Sequence, residues 1–181
     1  MQRMLVAFAA LAVAATSAQA QWRVGKDSAT RWTRFGRSIA YGSAMGLAYA
    51  GADQARNQPE EWGKGWSGYG KRVASNVGEF IIQESVTEGL AAAMHRPLDY
   101  ERCHCGSTMK RIGWAVRGAV TDQMQDGSHP IAVPRIVGSY VGSFAQASWR
   151  PSDSDRKKVA LLNGTTSLAF GALFNLFREF R

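Results

Sequence analysis

Apolar residues recur three or four positions apart through most of the chain, and strand-length runs of alternating apolar and polar residues are absent. This spacing is typical of amphipathic α-helices, and prolines separate the segments that show it. The sequence therefore predicts an all-α fold, a compact bundle of about five helices. The predicted helices cover about Thr30–Asn57, Lys71–Arg96, Ser107–Met124 and Arg135–Trp149, with a last helix that is capped by Pro151–Asp155 and runs to about Phe180.

Small residues recur four positions apart within these helices, which places them on one face where a second backbone can approach closely. Each glycine costs about 1 kcal/mol of helix propensity relative to alanine, so close packing is expected to compensate. We expect Gly42, Gly46, Gly78 and Gly89 to face neighbouring helices. The small-residue ridges are Ser38, Gly42, Gly46 and Ala50; Ala74 and Gly78; Ser85, Gly89 and Ala93; Gly138 and Gly142; and Ala160 and Gly164.

The last predicted helix contains an uncharged stretch, Val159–Phe177, between the basic Arg156–Lys158 and Arg178. A stretch of this kind is found both in membrane spans and in the central helices of soluble bundles. Asn163 and Thr165, among other polar residues, weaken the membrane signal. The sequence therefore favours the central buried helix of a soluble bundle.

The N-terminus has the three parts of a secretory signal peptide. Met1–Arg3 carries a positive charge, Met4–Ala15 is apolar, and Ala18–Ala20 is a small-residue cleavage site. We expect cleavage after Ala20, which leaves residues 21–181 as a single helical domain in the periplasm or cell envelope.

The chain of 181 residues carries a formal net charge of +8, and 45% of its residues are hydrophobic. This length and composition suit a folded domain with a core. Outside the cytoplasm, a basic surface fits envelope lipid, lipopolysaccharide or another envelope protein better than nucleic acid. The simpler interpretation is a solvated basic surface that aids solubility.

The glycine-rich segment Gly63–Arg72 comes close to two phosphate-binding motifs. Arg72 replaces the hydroxyl that would bind Mg²⁺, and no strand precedes the glycines, so a nucleotide site is not expected. Two weaker interpretations remain for this segment. Lys71 and Arg72 at a helix N-terminus could bind an anion, while Trp62, Trp66 and Tyr69 could bind a glycan, lie at a lipid interface or simply pack the loop against the bundle.

Glu84, Glu88 and His95 fall near one face of the second predicted helix, since spacings of four and seven are close to whole turns. Two carboxylates and an imidazole could bind a metal or perform acid–base chemistry. The spacing matches no established metal motif, and a structural role is favoured. In that role we expect His95 to be buried and paired.

Cys103 and Cys105 are the only cysteines. In an exported chain two cysteines predict one disulfide, although the ring between residues i and i+2 is strained and stabilises little. Free thiols, a transition-metal site that includes His104, and redox catalysis are the alternatives. We expect the cysteines to be dispensable for folding.

The order of several short motifs resembles that of an uncharacterised family of secreted, mainly helical bacterial proteins. The resemblance implies a signal peptide and a helical fold, and it implies no activity, cofactor or catalytic residue. Cys103 and Cys105 depart from the pattern. The motifs are Glu61–Arg72, His95–Arg102, Arg111–Arg117, Asp126-Gly127, Ile136–Gly138, Trp149–Pro151, Phe174-Asn175 and Glu179-Phe180.

Because no catalytic set is complete, the sequence favours a non-enzymatic envelope protein with a structural or interaction role, either soluble or membrane-associated. No cofactor is expected. The alternative is a periplasmic metal-binding protein or hydrolase-like enzyme that uses Glu84, Glu88 and His95.

Overall fold

The computed structural model describes the backbone of residues 26–124, 126–151 and 155–181, and side chains from residue 30 onward. The predicted signal peptide and its cleavage site lie outside the described residues. Within these residues the regular structure is helical, apart from an isolated bridge between Thr121 and Ile131. The all-α fold class is confirmed.

Five α-helices form the fold of the described chain. The largest differences from the prediction are at two boundaries: α2 begins at Trp66 rather than near Lys71, and α3 ends at Arg117 rather than near Met124 because the chain turns at Gly118. The helices are α1 Lys26–Arg56, α2 Trp66–Ala93, α3 Thr108–Arg117, α4 Val133–Trp149 and α5 Arg156–Phe180, and a short 3₁₀-helix spans Glu60–Trp62.

The helix ends have recognisable caps. The residue after the C-cap is Asn57 for α1 and His95 for α2, and both have a φ of 54°. In each case the N–H of this residue and the N–H of the next residue donate to carbonyl oxygens of the last helical turn, as in a Schellman motif. At the other end of the chain, the Asp155 side chain accepts a hydrogen bond from the Lys157 N–H and caps α5.

The four long helices α1, α2, α4 and α5 pack in that order, each antiparallel to the next. Helix α3 packs against the C-terminal part of α5. The bundle thus has two ends. Of the described residues, the aromatic end comprises 57–69, 149–151 and 155, and the connector end comprises 94–107, 118–124 and 126–132.

Small and polar residues fill the interior. Among the described residues, the buried apolar side chains are those of six alanines, Pro134 and Cys103, and buried polar side chains outnumber them. Many large apolar side chains lie outside instead. The buried alanines are Ala50, Ala91, Ala115, Ala119, Ala132 and Ala160, and the buried polar residues are Arg72, Ser75, Thr87, Asp122, Ser139, Ser143, Gln146, Asn175 and Glu179.

The predicted small-residue ridges form most of the helix contacts. A Cβ added at Gly42 would collide with the ring of Phe80, and one at Gly46 would lie 3.0 Å from Val77. A Cβ at Gly78 would contact Trp149 at 3.8 Å. These three predictions are confirmed. The prediction for Gly89 is wrong, because no described atom lies within 4 Å of its added Cβ.

The closest backbone approach joins α4 to α2. A Cβ added at Gly138 would lie 2.8 Å from the carbonyl oxygen of Gln83 and would collide with Thr87. At Gly142 the added Cβ would lie 3.1 Å from the carbonyl oxygen of Glu79. Because Gly138 and Gly142 have no side chains, the backbones of α4 and α2 can pack directly against each other.

Candidate functional site

The outer face of α5 is apolar. Between Lys158 and Arg178 the helix has no charged residue. In its most apolar stretch of 18 residues, only 17% is buried. The prediction that this is the central buried helix of a bundle is therefore wrong. Judged helix by helix, α5 alone in the described part of the chain is long and apolar enough to cross a membrane, because α1, α2 and α4 carry charged residues closer together. Its large exposed side chains are Leu161, Leu162, Leu173, Phe174, Phe177 and Phe180.

The polar residues that weakened the membrane signal in α5 have partners within the bundle. The hydroxyl groups of Thr165 and Thr166 donate to carbonyl oxygens one turn earlier in the same helix, at 2.9 and 2.8 Å. Asn163 donates to Gln146 of α4 at 3.5 Å, and Ser167 donates to Gln83 of α2 at 2.9 Å. These groups are therefore compatible with an apolar surrounding.

The other long helices also carry large exposed apolar side chains. Helix α1 has no charged residue between Arg37 and Asp53, and α4 has none between Arg135 and Arg150. We call the exposed apolar surface of the four long helices the apolar belt. Besides the residues of α5, its large side chains are Tyr41, Met45, Leu47 and Tyr49 of α1, Ile81 of α2, and Val137 and Phe144 of α4.

Charged and aromatic residues lie at the two ends of the belt. Exposed cations include Arg56, Lys71 and Lys157 at the aromatic end and Arg37 and Arg178 at the connector end. Trp66 is 89% exposed at the start of α2, and Trp32 is 67% exposed near the start of α1. Aromatic and basic side chains thus border the uncharged surface on both sides.

Arg72 organises the aromatic end. Its guanidinium is fully buried and donates to the backbone carbonyls of Gln58, Gly63 and Pro59 at 2.8, 2.7 and 2.9 Å. It also donates to the side-chain oxygen of Gln54 at 2.6 Å. The prediction that Arg72 binds an external anion is therefore not supported, because its donors already hold the loop.

The other residues of the predicted anion or glycan site are dispersed. Lys71 is exposed and lies inside α2 rather than at its N-terminus. Trp66 and Tyr69 meet edge to face with ring centres 6.3 Å apart. Trp62 is covered by Arg150, which lies 5.9 Å from the indole ring and pairs with Asp53 at 2.8 Å. Trp62 therefore packs the loop, whereas Trp66 remains free of the bundle's interior.

A buried polar seam runs along α2, where Ser75, Asn76, Glu79, Gln83 and Thr87 share one face. Most of its hydrogen bonds cross to α4. Gln146 donates to Asn76 at 3.1 Å, Ser143 donates to Glu79 at 2.8 Å, and Trp149 donates to Ser75 at 3.0 Å. The seam thus holds polar groups inside the bundle with partners on the next helix.

Glu84, Glu88 and His95 do not form a common site. Glu84 accepts a hydrogen bond from Ser38 at 2.7 Å, and Glu88 interacts electrostatically with arginines of α1. His95 is exposed, so its predicted burial is wrong; it ends α2 in the left-handed conformation. Within the described part of the chain, no group of three histidine, cysteine or carboxylate side chains is placed to hold a metal.

Asp122 is a buried carboxylate that the sequence analysis missed. It is fully buried and lies 3.5 Å from Arg135, but neither of its oxygens accepts a hydrogen bond from a described residue. Burial raises the pKa of Asp122, and the nearby Arg135 and Arg96 only partly oppose this effect. The residue precedes a turn in sequence, and no local pattern indicates its burial.

Glu179 joins the connector to α5. Its fully buried carboxylate accepts hydrogen bonds from the Tyr100 hydroxyl at 2.7 Å, the Cys103 N–H at 3.0 Å and Arg111 at 2.9 Å. Arg111 also donates to the Glu179 carbonyl and lies over the Phe180 ring at 4.4 Å. Burial and the bond to Glu179 raise the pKa of Tyr100.

Cys103 and Cys105 form a disulfide with Cα atoms 5.1 Å apart. Cys103 is 9% exposed, while Cys105 is half-buried and the intervening His104 is exposed.

No protein family, curated protein or solved structure matches the chain. The resemblance to a secreted bacterial family thus stays a prediction. The residues themselves must carry any functional argument.

Proposed function

We propose that this protein is a non-enzymatic structural or interaction protein of the bacterial envelope, and that its four long helices lie within a lipid bilayer. The observation that carries the proposal is the distribution of side chains. Large apolar residues face outward on the long helices, while alanine, glycine and polar residues, most of which are hydrogen-bonded, fill the interior.

Water is a poor solvent for such a surface. Burying apolar surface is worth about 25 cal/mol per Å², so the exposed leucines and phenylalanines of α5 would be costly in water. Monomeric soluble proteins rarely expose large contiguous apolar patches. In lipid the same side chains meet hydrocarbon at no cost, and helices associate through small residues and interhelical hydrogen bonds. The α2–α4 contact has both of these features.

The dimensions of the belt support the proposal. With a rise of 1.5 Å per residue, the uncharged stretch Val159–Phe177 is about 28 Å long, close to the ~30 Å of a bilayer's hydrocarbon core. The corresponding stretch Ser38–Ala52 of α1 spans about 22 Å, which snorkelling arginines and lysines at its ends would extend. Trp32 and Trp66 stand at opposite ends, as expected for residues at the two membrane interfaces.

A second copy of the chain or a partner protein is the alternative occupant of the belt. Either would cover one patch, whereas the large exposed apolar residues are distributed over all four long helices. Lipid is the surrounding that meets all of these faces at once. The predicted signal peptide would direct the bundle to the envelope, and N-terminal sequencing of the exported protein should then begin at Gln21.

Membrane fractionation of the full-length chain in a bacterial host tests the proposal. We expect the protein to remain in the membrane pellet after an alkaline carbonate wash and to need detergent for extraction. Replacing two belt residues, Leu162→Glu and Phe174→Glu, should prevent stable insertion, because a carboxylate in the hydrocarbon core costs about 2.5–3.5 kcal/mol per residue.

The matched control carries the same type of change outside the belt, Lys158→Glu and Arg178→Glu. We expect this variant to stay in the pellet. A wild-type protein released by carbonate, or one that is soluble as a dimer or a larger complex without detergent, would overturn the bilayer assignment. The fractionation therefore also tests the alternative occupants.

A further inference from the structure

The Cys103–Cys105 disulfide contributes little as a structural crosslink. Its loop contains only His104, and the entropic stabilisation by a disulfide falls as the closed loop shortens. The connector is also anchored without it. Trp114 donates to the Glu101 carbonyl at 2.9 Å, and Tyr100 and the Cys103 N–H bind Glu179. The bond is therefore poorly explained by a role in stability.

The two cysteine residues differ in exposure. Cys103 is 9% exposed, and its N–H is fixed by Glu179 at 3.0 Å. Cys105 is half-buried and lies between the exposed His104 and Gly106. An attacking thiolate must reach a sulfur in line with the bond that breaks, so the accessible Cys105 is the sulfur open to attack and Cys103 is the leaving group.

The position in the fold suits a water-soluble reaction partner. The pair lies in the connector end, beyond the C-terminus of α2 and outside the apolar belt. Disulfides that are strained or exposed have more oxidising potentials and are the labile, catalytic or regulatory ones. A ring closed over a single residue belongs to this class by its size alone.

We propose that Cys103–Cys105 is a thiol–disulfide exchange centre that accepts electrons from a partner dithiol. One partner thiolate attacks Sγ of Cys105, the Cys103–Cys105 bond breaks, and its electron pair leaves on Sγ of Cys103, which takes up a proton. The partner's second thiol then loses its proton and attacks the partner's own sulfur in this mixed disulfide. Cys105 leaves as a thiolate and is protonated. In sum, two electrons and two protons pass to this chain, and the partner becomes a disulfide.

Opening the ring would act on a structural contact. The Cys103 N–H is one of the donors that hold Glu179 at the end of α5, and Arg111 of α3 binds the same carboxylate. The redox state of the pair is therefore placed to change how the connector is held against α5. This inference is independent of the membrane assignment, since it needs only the connector end.

Glutathione exchange on the full-length protein in detergent tests the proposal. Oxidised protein is equilibrated at a series of reduced-to-oxidised glutathione ratios, quenched in acid and alkylated. Mass spectrometry then gives the fraction of protein in which the disulfide is reduced. A synthetic peptide of residues 101–107 with the same disulfide is the reference. We expect the protein to be half-reduced at a ratio within tenfold of that for the peptide. A disulfide that needs a more than tenfold higher ratio is protected by the fold, which would overturn the exchange role.

Single variants test which sulfur is attacked. With oxidised glutathione, the remaining thiol of Cys103→Ser should form a mixed disulfide at least tenfold faster than that of Cys105→Ser. Equal rates, or a faster Cys103, would contradict the assignment of Cys105. Circular dichroism checks that both variants fold; if either does not, the wild-type equilibrium decides. A loss of helical signal when the wild type is reduced would mark the bond as structural and refute the proposal.

Discussion

The inside of this bundle and its outside use opposite kinds of residue. At the α2–α4 contact, Gly138 and Gly142 let the backbones touch, and the polar side chains there have hydrogen-bond partners. On the outer face of α5, leucines and phenylalanines stand exposed. In a water-soluble bundle the large apolar residues would fill the interior. The inversion indicates that helix packing here depends on shape and hydrogen bonds rather than on the burial of large apolar side chains.

The same substitution on the two sides should have opposite effects. Gly138→Ala places a Cβ 2.8 Å from the Gln83 carbonyl oxygen and in collision with Thr87, so we expect a loss of about 3 kcal/mol. Gly171→Ala, whose Cβ meets no described atom within 4 Å, should gain about 1 kcal/mol from helix propensity. Unfolding in detergent, followed by circular dichroism, measures both. Similar effects of the two variants would remove the distinction between the faces.

Arg72 tests whether a buried charge is tolerated in this interior because its donors are satisfied. Lysine lacks the planar set of N–H donors, so Arg72→Lys should leave loop carbonyls of Gln58, Gly63 or Pro59 without a partner. We expect the free energy of unfolding to fall by about 2 kcal/mol. The exposed neighbour Lys71 provides the control, since Lys71→Ala should change stability little. A tolerated Arg72→Lys would mean that the hydrogen bonds of the loop are dispensable.

The helical segments could be predicted because their signals are local. Proline and turn residues mark the ends of α1, α2 and α4, and the caps at Asn57 and His95 fall near the predicted ends. The start of α2 was missed because Gly65, Gly68 and Gly70 suggest a loop. In the structure Gly65 is the N-cap of α2 and Gly68 and Gly70 lie in its first turns, while Arg72 holds the carbonyl of Gly63 just before the helix.

The contacts of the candidate sites could not be predicted because they join distant parts of the chain. Glu179 and Arg111 are 68 residues apart, and neither carries a local motif that names its partner. The burial of α5 was predicted wrongly for a different, local reason. The polar residues Thr165 and Thr166 suggested a buried helix, but their hydroxyl groups are satisfied within α5 itself.

Asp122 tests the opposite case to Arg72, a buried polar group without hydrogen bonds. Burial raises its pKa above the ordinary 3.8, so the folded state binds a proton more tightly than the unfolded state. The contribution of Asp122 to stability should therefore be full below the ordinary pKa and be lost as pH rises through the raised value. Asp122→Asn removes this dependence and should be more stable by about 1 kcal/mol at neutral pH.

Asp126 is the control for this pH dependence, because hydrogen bonds from Ser128 lower the pKa of this exposed carboxyl. Its contribution has the opposite sign: it is present above the ordinary pKa and is lost as pH falls through the lowered value. Unfolding of the wild type and of Asp122→Asn, measured between about pH 3 and pH 8, separates the two contributions. If Asp122→Asn keeps the wild-type slope, the buried carboxyl is not the group that titrates.

The smallest change in stability is expected for substitutions of His95, the residue that follows the C-cap of α2. Its φ of 54° is a conformation that glycine adopts without steric cost, and the Arg96 N–H closes the cap on the Ala91 carbonyl at 2.8 Å. We expect His95→Gly to raise the free energy of unfolding by about 0.5 kcal/mol, because relief at the cap exceeds the added freedom of the unfolded chain. His95→Val should lower it, since a β-branched side chain is disfavoured at positive φ. A loss of stability in the glycine variant as large as that of the valine variant would show that the imidazole itself, through its contacts at the connector end, holds α2 in place.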